Sequence, residues 1–364
     1  MKVVLQNLTK KFPERGKKSR GEVTAVSDFS VEIPDGKLIG LLGPSGCGKS
    51  TALNLLCGLL QPTSGKIFFG EEDVTDLAAE KRGVGMVFQN YALYPHLTVR
   101  QNIIFPLENL KGKEKLSKEE MNKRALDVAK LVQIDGLMER QPSELSGGQQ
   151  QRVAIARALV KMPLSNLDAR LRLQTREEIR RIQRETKITT IFVTHDQEEA
   201  MSISDMIVVM KEGVVQQIGK PQDVYDDPVN LFVAKFLGTP PINVFRGSVK
   251  AGRIYIGNDA VLNVKGVSDQ EVFVGVRPEG FVLNPQGALT CHLNGVEVMG
   301  RDISVVSANA SCENTVIRSI ISAENSVDTG SASVRFDVKP NKVFVFDAKT
   351  EERIYFESGQ AKEQ

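Results

Sequence analysis

The sequence predicts a two-domain protein in which an α/β domain is followed by an all-β domain. A chain of 364 residues is longer than one domain usually is. Its first part alternates apolar, β-rich runs with a polar, helix-prone stretch, which is typical of an α/β fold. The runs are residues 23–31, 38–42, 189–194 and 206–210, and the helix-prone stretch is 117–159. From about residue 245, only short strand-like runs separated by Gly, Pro and Asn follow, which indicates an all-β fold.

The predicted domain boundary lies at this change of pattern. A Gly-Thr-Pro-Pro stretch at 238–241 combines residues that favour turns and is typical of a linker. We therefore expect one domain at 1–237 and a second at 238–364.

The composition and charge favour a soluble protein that does not bind nucleic acid. Hydrophobic residues make up 41% and charged residues 25% of the chain, which is ordinary for a globular fold. The 47 basic residues are nearly balanced by 45 acidic residues, so the formal net charge is only +2. Nucleic-acid-binding proteins usually carry a strong positive electrostatic field, and a net charge of +2 does not produce one over the whole chain.

No segment of the sequence is suited to span a membrane or to direct export. The longest apolar runs, 38–42 and 53–60, fall far short of the ~20 residues that a bilayer requires. The first residues lack a long apolar stretch and a small-residue cleavage site, so a cytoplasmic location is expected. The four cysteines show neither CxxC nor metal-ligand spacing, and we expect reduced, structural thiols.

A glycine-rich motif lies between the apolar run 38–42 and a helix predicted to start at Lys49. It fits the pattern GxxxxGK[ST], in which glycines let backbone N–H groups converge on a phosphate at a helix N-terminus. We expect Lys49 to reach the β- and γ-phosphates of a nucleotide and the Ser50 hydroxyl to bind Mg²⁺. A glycine-rich turn without a ligand is the alternative. The motif consists of Gly43, Pro44, Ser45, Gly46, Cys47, Gly48, Lys49, Ser50 and Thr51.

A second motif reads Leu-Ser-Gly-Gly-Gln and resembles the signature motif of ABC transporter ATPases. Its Ser146, Gly147 and Gly148, followed by Gln149, present a hydroxyl and bare N–H groups at a helix start. The resemblance implies the P-loop NTPase fold of an ABC ATPase, with a helical subdomain at about 90–160. It also implies that this motif binds the γ-phosphate of ATP held by a second copy of the chain or by a paralogous ATPase. A plain N-capped helix is the alternative.

Five further residues match functional positions of the same family. Gln89 resembles the Q-loop glutamine that contacts Mg²⁺, and His195 resembles the switch histidine that contacts the γ-phosphate and the attacking water. Asp168 lies in a segment that resembles the D-loop between the two nucleotide sites. Phe12 matches the aromatic residue that stacks on adenine, with Val26 packed beside it. As structural alternatives, Gln89 is a surface residue, His195 a structural histidine and Phe12 a core residue.

The second domain resembles the OB-like accessory domain of ATPase subunits from multiple-sugar and maltose-type importers. The resemblance rests on the segments 238–243 and 274–279, and Gly280 departs from it because the family commonly has histidine there. It implies a sugar importer whose ATP-hydrolysing subunit lies at the cytoplasmic face of the membrane. The implied partners are two membrane permease subunits and, indirectly, an extracytoplasmic solute-binding protein. Importers of polyamines, sulfate or iron have similar subunits, so a non-sugar solute is an alternative.

The strand that carries the catalytic carboxylates in the family is missing from the sequence. There, an apolar strand ending in Asp-Glu-Pro lies between the signature helix and the D-loop, whereas residues 156–168 leave no room for it. A strand of ~5–6 residues with its carboxylates makes the gap roughly eight residues long. Removing a central strand would leave buried backbone groups of its neighbours unpaired. We therefore hypothesise that the working protein contains these residues, and the alternative is a truncated subunit that is hydrolysis-deficient or regulatory.

Overall fold

The computed structural model describes residues 1–14, 21–87, 91–110, 115–161, 175–194, 196–314 and 316–358, with only the backbone of 175–178. The chain divides into two compact units, Met1–Val215 and Gln216–Gln364. This division lies earlier in the chain than the domain boundary predicted between residues 237 and 238. The predicted boundary stays a prediction.

The first unit is an α/β structure, as predicted. Its strands are β1 (Val3–Pro13), β2 (Glu22–Ile33), β3 (Leu38–Leu42), β4 (Ser64–Phe69), β5 (Glu72–Asp73), β6 (Thr190–Val193), β7 (Met206–Lys211) and β8 (Val214–Gly219), the last of which runs across the division. Its helices are α1 (Lys49–Leu56), α2 (Val99–Glu108), α3 (Lys118–Leu131), α4 (Gly147–Leu159), α5 (Thr175–Thr186) and α6 (Gln197–Ile203). An antiparallel sheet has the order β2-β1-β4-β5, and a second sheet has the order β6-β3-β7-β8.

Strand β3 is the centre of the second sheet and leads into the phosphate-binding motif. Its five apolar residues are all buried, as expected for a parallel strand covered on both faces. Strands β6 and β7 flank it in parallel. All four residues of β6 are only partly buried, and among the described strands β6 is paired with β3 alone. Strand β6 therefore ends the described part of this sheet.

Helix α1 begins at Lys49, which confirms the predicted start. The preceding residue, Gly48, has a φ of 103° and so turns the chain from the loop into the helix. The helix ends at Leu56. Gly58 adopts a left-handed φ of 75°, and Arg82 donates hydrogen bonds of 2.8 and 2.9 Å to the last two carbonyl oxygens. A left-handed glycine and a cation at the terminal carbonyls are common features of helix ends.

Helices α2, α3 and α4 pack around a hydrophobic cluster of their own. Each helix starts with a polar cap, because Thr98, Ser117 and Ser146 accept a hydrogen bond from the backbone N–H three residues later. The apolar residues on the inner faces, such as Ile103 and Val153, are fully buried. Within the described residues, no helix combines the length and the hydropathy that crossing a membrane requires.

The second unit is mainly β, with two short helices before its first complete strand. The helices are α7 (Pro221–Asp226) and α8 (Leu231–Phe236). The strands are β9 (Asn243–Lys250), β10 (Arg253–Ile256), β11 (Asp259–Lys265), β12 (Gln270–Val276), β13 (Phe281–Leu283), β14 (Leu289–Met299), β15 (Asp302–Ala308), β16 (Ile317–Ser322), β17 (Ser333–Val338), β18 (Val343–Asp347), β19 (Arg353–Ile354) and β20 (Glu357–Ser358). They form sheets with the orders β19-β18-β12-β9-β10-β11-β20 and β13-β17-β14-β15-β16, with the apolar core on their inner faces.

Arg277 attaches α7 and α8 to the strands of the second unit. Its fully buried guanidinium donates hydrogen bonds to the carbonyl oxygens of Tyr225, Ala234 and Leu237 at 2.7, 3.0 and 2.5 Å. It also lies 3.8 Å from the centre of the Tyr225 ring. Burial lowers the pKa of Arg277. These contacts explain why both helices belong to the second unit, although the sequence pattern predicts them in the first domain.

Candidate nucleotide-binding site

The phosphate loop, residues 43–48, connects β3 to α1. Gly43, Gly46 and Gly48 have φ angles of 153°, 80° and 103°, which residues with a Cβ atom rarely adopt. Residues 44–46 are exposed, and a Cβ atom added to Gly46 would meet no atom within 4 Å. The loop therefore leaves open space directly in front of the helix N-terminus.

Two distant segments support the phosphate loop from behind. A Cβ atom on Gly48 would lie 2.4 Å from the carbonyl oxygen of Ala25 in β2. Gly213, in the turn between β7 and β8, donates its N–H to the carbonyl of Cys47 at 3.0 Å and accepts the N–H of Ser27 at 2.8 Å. The sequence motif does not reveal this support, because these partners lie far from the loop along the chain.

The start of α1 can receive a chain of phosphates. The residue before the helix supplies no side-chain cap for its first N–H groups. Lys49 Nζ lies over the loop, 2.7 Å from the carbonyl oxygen of Gly43 and 2.8 Å from that of Pro44. Ser50 is exposed and Thr51 is partly buried in the first turn. Backbone donors, an ammonium and a hydroxyl thus meet at one helix N-terminus, which suits the phosphates of a nucleotide.

Phe12 and Val26 lie on the neighbouring strands β1 and β2. Phe12 is partly buried, pairs with Val23, and has the ammonium of Lys10 5.2 Å from its ring centre. Val26 is fully buried, and its Cγ2 lies 3.5 Å from the place that a Cβ atom of Gly48 would take. Val26 therefore packs against the phosphate loop from the core side. Stacking of adenine on Phe12 stays a prediction.

The second motif forms the first turn of α4. Ser146 and Gln149 form a capping box: the N–H of Ser146 donates to Gln149 Oε1 at 2.9 Å, and the N–H of Gln149 donates to Ser146 Oγ at 3.4 Å. Gly147 and Gly148 are exposed, and a Cβ atom on either would meet no atom within 4 Å. A plain N-capped helix accounts for the serine, but the packing of this chain does not require the two glycines.

Three of the predicted site residues lie outside the described part of the chain: Gln89, Asp168 and His195. Hydrogen bonds define the chain on both sides of position 195, because Thr194 Oγ1 donates to Glu199 Oε2 at 2.8 Å and Asp196 Oδ1 accepts the N–H of Glu199 at 3.0 Å. Since β6 runs parallel to β3, the connection after β6 leaves the same sheet edge as the phosphate loop.

The part of the chain that the structure describes holds no cluster of three or more His, Cys, Asp or Glu side chains suited to a metal ion. The segment 156–168, which takes the place of the family's carboxylate strand in the sequence, is described only as far as Lys161. The outer edge of β6 has no paired strand among the described residues. The roles of Ser50 and Gln89 as Mg²⁺ ligands stay predictions.

Asp205, which the motifs did not reveal, connects the start of β3 to α5. Its Oδ2 accepts the N–H of Leu38 at 2.9 Å, and its own N–H donates to the Leu38 carbonyl at 2.8 Å. Arg180 donates to both carboxylate oxygens, at 2.6 and 2.8 Å. Hydrogen bonding by Arg180 is the main reason why the pKa of Asp205 falls to about 2. This ion pair positions the strand that leads into the phosphate loop.

Comparisons with known proteins agree with this geometry. The family profile described as ABC transporter matches residues 26–167. The oligosaccharides import ATP-binding protein MsmX of Bacillus subtilis (strain 168) is 41% identical over an alignment of 355 positions, and the alignment covers 91% of this chain and 95% of MsmX. The chain belongs to the ABC transporter family.

Two further comparisons concern the same family. The trehalose/maltose import ATP-binding protein MalK of Thermococcus litoralis is 46% identical over 283 residues, 71% of this chain and 75% of MalK. The dimeric structure of a post-hydrolysis state of the ATP-binding cassette MJ0796 bound to ADP and Pi matches with a TM-score of 0.51 and 32% identity. It covers 60% of this chain and 98% of MJ0796. As a member of the ABC transporter family, this chain is an ATP-binding protein.

Proposed function

We propose that the chain is the ATP-binding and hydrolysing subunit of an ABC importer and that the importer carries sugars. The observation that carries the proposal is that one chain has two helix starts suited to bind phosphate, those of α1 and α4. The phosphate loop before α1 has glycines required by its own packing, whereas the signature motif has exposed glycines that the chain's own packing does not require. Exposed glycines in the first turn of a helix leave its N–H groups open to a ligand supplied by another molecule. The names of MsmX and MalK support import of oligosaccharides or related sugars.

Each side chain of the site has a separate task in this proposal. The backbone N–H groups at the start of α1 and the ammonium of Lys49 bind the phosphates of ATP. The Ser50 hydroxyl is an oxygen ligand of the kind that Mg²⁺ prefers, and Mg²⁺ when bound neutralises phosphate charge. Phe12 stacks on the adenine ring. Gln89 and His195 are proposed for the Mg²⁺ and γ-phosphate contacts, and Asp168 for the D-loop.

Closure of two subunits is the proposed mechanical step. A second copy of the chain, or a paralogous ATPase, presents its Ser146 and its glycines to the γ-phosphate of the first. The dimeric state of MJ0796 supports this arrangement. Two membrane permease subunits would receive the movement at the cytoplasmic face of the membrane, and an extracytoplasmic solute-binding protein would deliver the sugar.

Point substitutions in the two helix starts test this proposal. We expect Lys49→Ala to abolish binding of ATP, because the ammonium that reaches the phosphates is lost. We expect Ser146→Arg to leave ATP binding intact and to block dimerisation, because a bulky cation replaces the hydroxyl at the partner's phosphate. Binding of a fluorescent ATP analogue measures the first effect, and sedimentation of the protein with Mg·ATP measures the second.

Matched controls separate these effects from loss of fold. Lys130→Ala removes an exposed lysine of α3, and Ser117→Arg changes the N-cap serine of the same helix. Both controls should bind ATP and dimerise like the parent protein. Dimerisation by the Ser146→Arg protein would count against the proposed function.

A hydrolysis-deficient regulatory subunit is the second candidate function, and the missing carboxylate strand is the observation that favours it. Such a subunit would bind ATP and close without turnover. A phosphate-release assay with the co-purifying permease separates the two, because steady release of phosphate excludes the regulatory subunit. Identifying that permease and its binding protein would also test the choice of sugars against polyamines, sulfate or iron.

A further inference from the structure

Arg157 lies in the last turn of α4, the helix that starts with the signature motif. Its Nη1 donates a 2.7 Å hydrogen bond to the carbonyl of Ala92, and its Nη2 donates a 2.8 Å hydrogen bond to the carbonyl of Tyr91. Its guanidinium also lies 5.6 Å from the centre of the Tyr94 ring. No carboxylate in the described ranges lies within 4 Å of it. The charge of Arg157 therefore binds backbone carbonyls rather than an acidic side chain.

The two carbonyls belong to a turn that is costly without this partner. Tyr91 and Ala92 both have left-handed φ angles, 59° and 45°. A residue with a Cβ atom pays free energy in this region, and two in succession are uncommon. A planar guanidinium that bonds both carbonyls offsets this cost, which a lysine ammonium cannot do with the same geometry.

Residues 91–98, called the 91–98 loop, include this turn, and α2 holds the remainder of the loop. Asn102 is fully buried, and its Oδ1 accepts the N–H of Tyr94 at 2.9 Å. Its Nδ2 donates to the carbonyls of Tyr94, Leu97 and Thr98, each at 3.1 Å. All the polar atoms of Asn102 are therefore used to shape the 91–98 loop on the helices α2 and α4.

The chain before Gln89 is held by the phosphate-site helix instead. Arg82 is only 4% exposed. Its guanidinium donates to the carbonyls of Leu55 and Leu56 at the end of α1, and to those of Thr75 and Leu77 at 2.7 and 2.8 Å. Two arginines, the buried Arg82 and the partly buried Arg157, thus anchor the chain on either side of residues 88–90, one to α1 and the other to α4.

We propose that Arg157 is a positioning residue that couples ATP binding at the phosphate loop to the signature end of α4, by holding the 91–98 loop on that helix. Arg82 makes the matching attachment to α1. The coupling role of Arg157 rests on the proposed function, because it assigns a route between the start of α1 and the start of α4. Without Arg157, ATP still binds the phosphate loop, but the signature motif no longer responds.

Hydrogen exchange of the full chain, with and without Mg·ATP, tests this coupling. In Arg157→Met we expect ATP affinity within about twofold of the parent and about tenfold faster exchange in the 91–98 loop, because a shared cationic donor is lost. ATP-induced protection should persist at residues 43–51 and be lost at 146–152. Arg124→Met, which removes a charge from α3, should behave like the parent protein.

A second substitution distinguishes this role from a general loss of stability. Ala92→Gly lowers the cost of the left-handed turn without replacing the bonds to α4, so adding it to Arg157→Met should bring exchange in the 91–98 loop to within about threefold of the parent and leave protection at 146–152 lost. Arg157→Lys should be intermediate. The inference is wrong if Arg157→Met keeps ATP-induced protection at 146–152, or if adding Ala92→Gly to Arg157→Met restores that protection. A parent protein that shows no binding of Mg·ATP would instead overturn the proposed function.

Discussion

A single carboxylate, Asp205, shows how a residue without a motif supports the phosphate site. It bonds both backbone groups of Leu38, the first residue of β3, and its charge is paired with Arg180. The side chains of the pair are 22% and 18% exposed, so solvent weakens their attraction only in part. The sequence offers no signal for this pair, because its members are separated by a helix end, a strand and α6.

We predict that Asp205→Asn lowers the free energy of unfolding by about 1–2 kcal/mol at pH 7. The folded pKa of Asp205 is depressed from 3.8 to about 2. The stabilisation is therefore complete above pH 3.8 and disappears as the pH falls through 2, because the unfolded chain takes up the proton first. Urea unfolding at pH 7 and pH 3 measures both effects, with Asp127→Asn on α3 as the control. An equal difference at both pH values would contradict this assignment.

At the scale of elements, the glycines of the two helix starts that we propose to bind phosphate differ in the reason why a glycine is needed. Gly48 has a φ of 103° and lies against the carbonyl of Ala25, so the fold of the chain requires it. Gly147 and Gly148 have open space around them. The sequence alone shows glycines in both motifs and cannot separate these cases, since the difference depends on which atoms lie near each Cα.

We predict that Gly148→Ala leaves the fold as stable as before, or up to ~1 kcal/mol more stable, because alanine favours the helix. The same change should weaken Mg·ATP-dependent dimerisation by about tenfold or more, since a methyl group enters the space meant for the partner's phosphate. Thermal unfolding and sedimentation measure the two effects. Gly136→Ala is the control, because a Cβ atom there also meets no atom within 4 Å. A Gly148→Ala protein that dimerises normally would argue against a phosphate at this position.

At the scale of the whole molecule, the edge strand β6 bears on the missing carboxylates. Its Thr-Ile-Phe-Val sequence is typical of a buried parallel strand, yet all four residues are partly exposed. A strand paired along its outer edge, where β6 has no strand partner among the described residues, would cover β6 and accept and donate backbone hydrogen bonds there. The half-exposed edge supports the hypothesis that the working protein has more residues between α4 and the D-loop segment.

Intact-mass measurement of the protein purified from its natural source tests this hypothesis. We predict a mass that exceeds that of the 364 residues by about eight residues. The added strand should also raise the stability of the first unit and allow phosphate release. A mass that matches 364 residues would defeat the hypothesis and favour the regulatory subunit.

The sequence by itself determined the fold class, the start of α1 at Lys49 and the family, because these depend on contiguous residues and on local periodicity. Only the tertiary structure showed that α7 and α8 pack with the second unit and that Arg157 binds carbonyls 65 and 66 residues away. Such contacts leave no pattern along the chain. The partners of Arg157 are backbone carbonyls, which every residue has, so only folding decides which of them this arginine contacts.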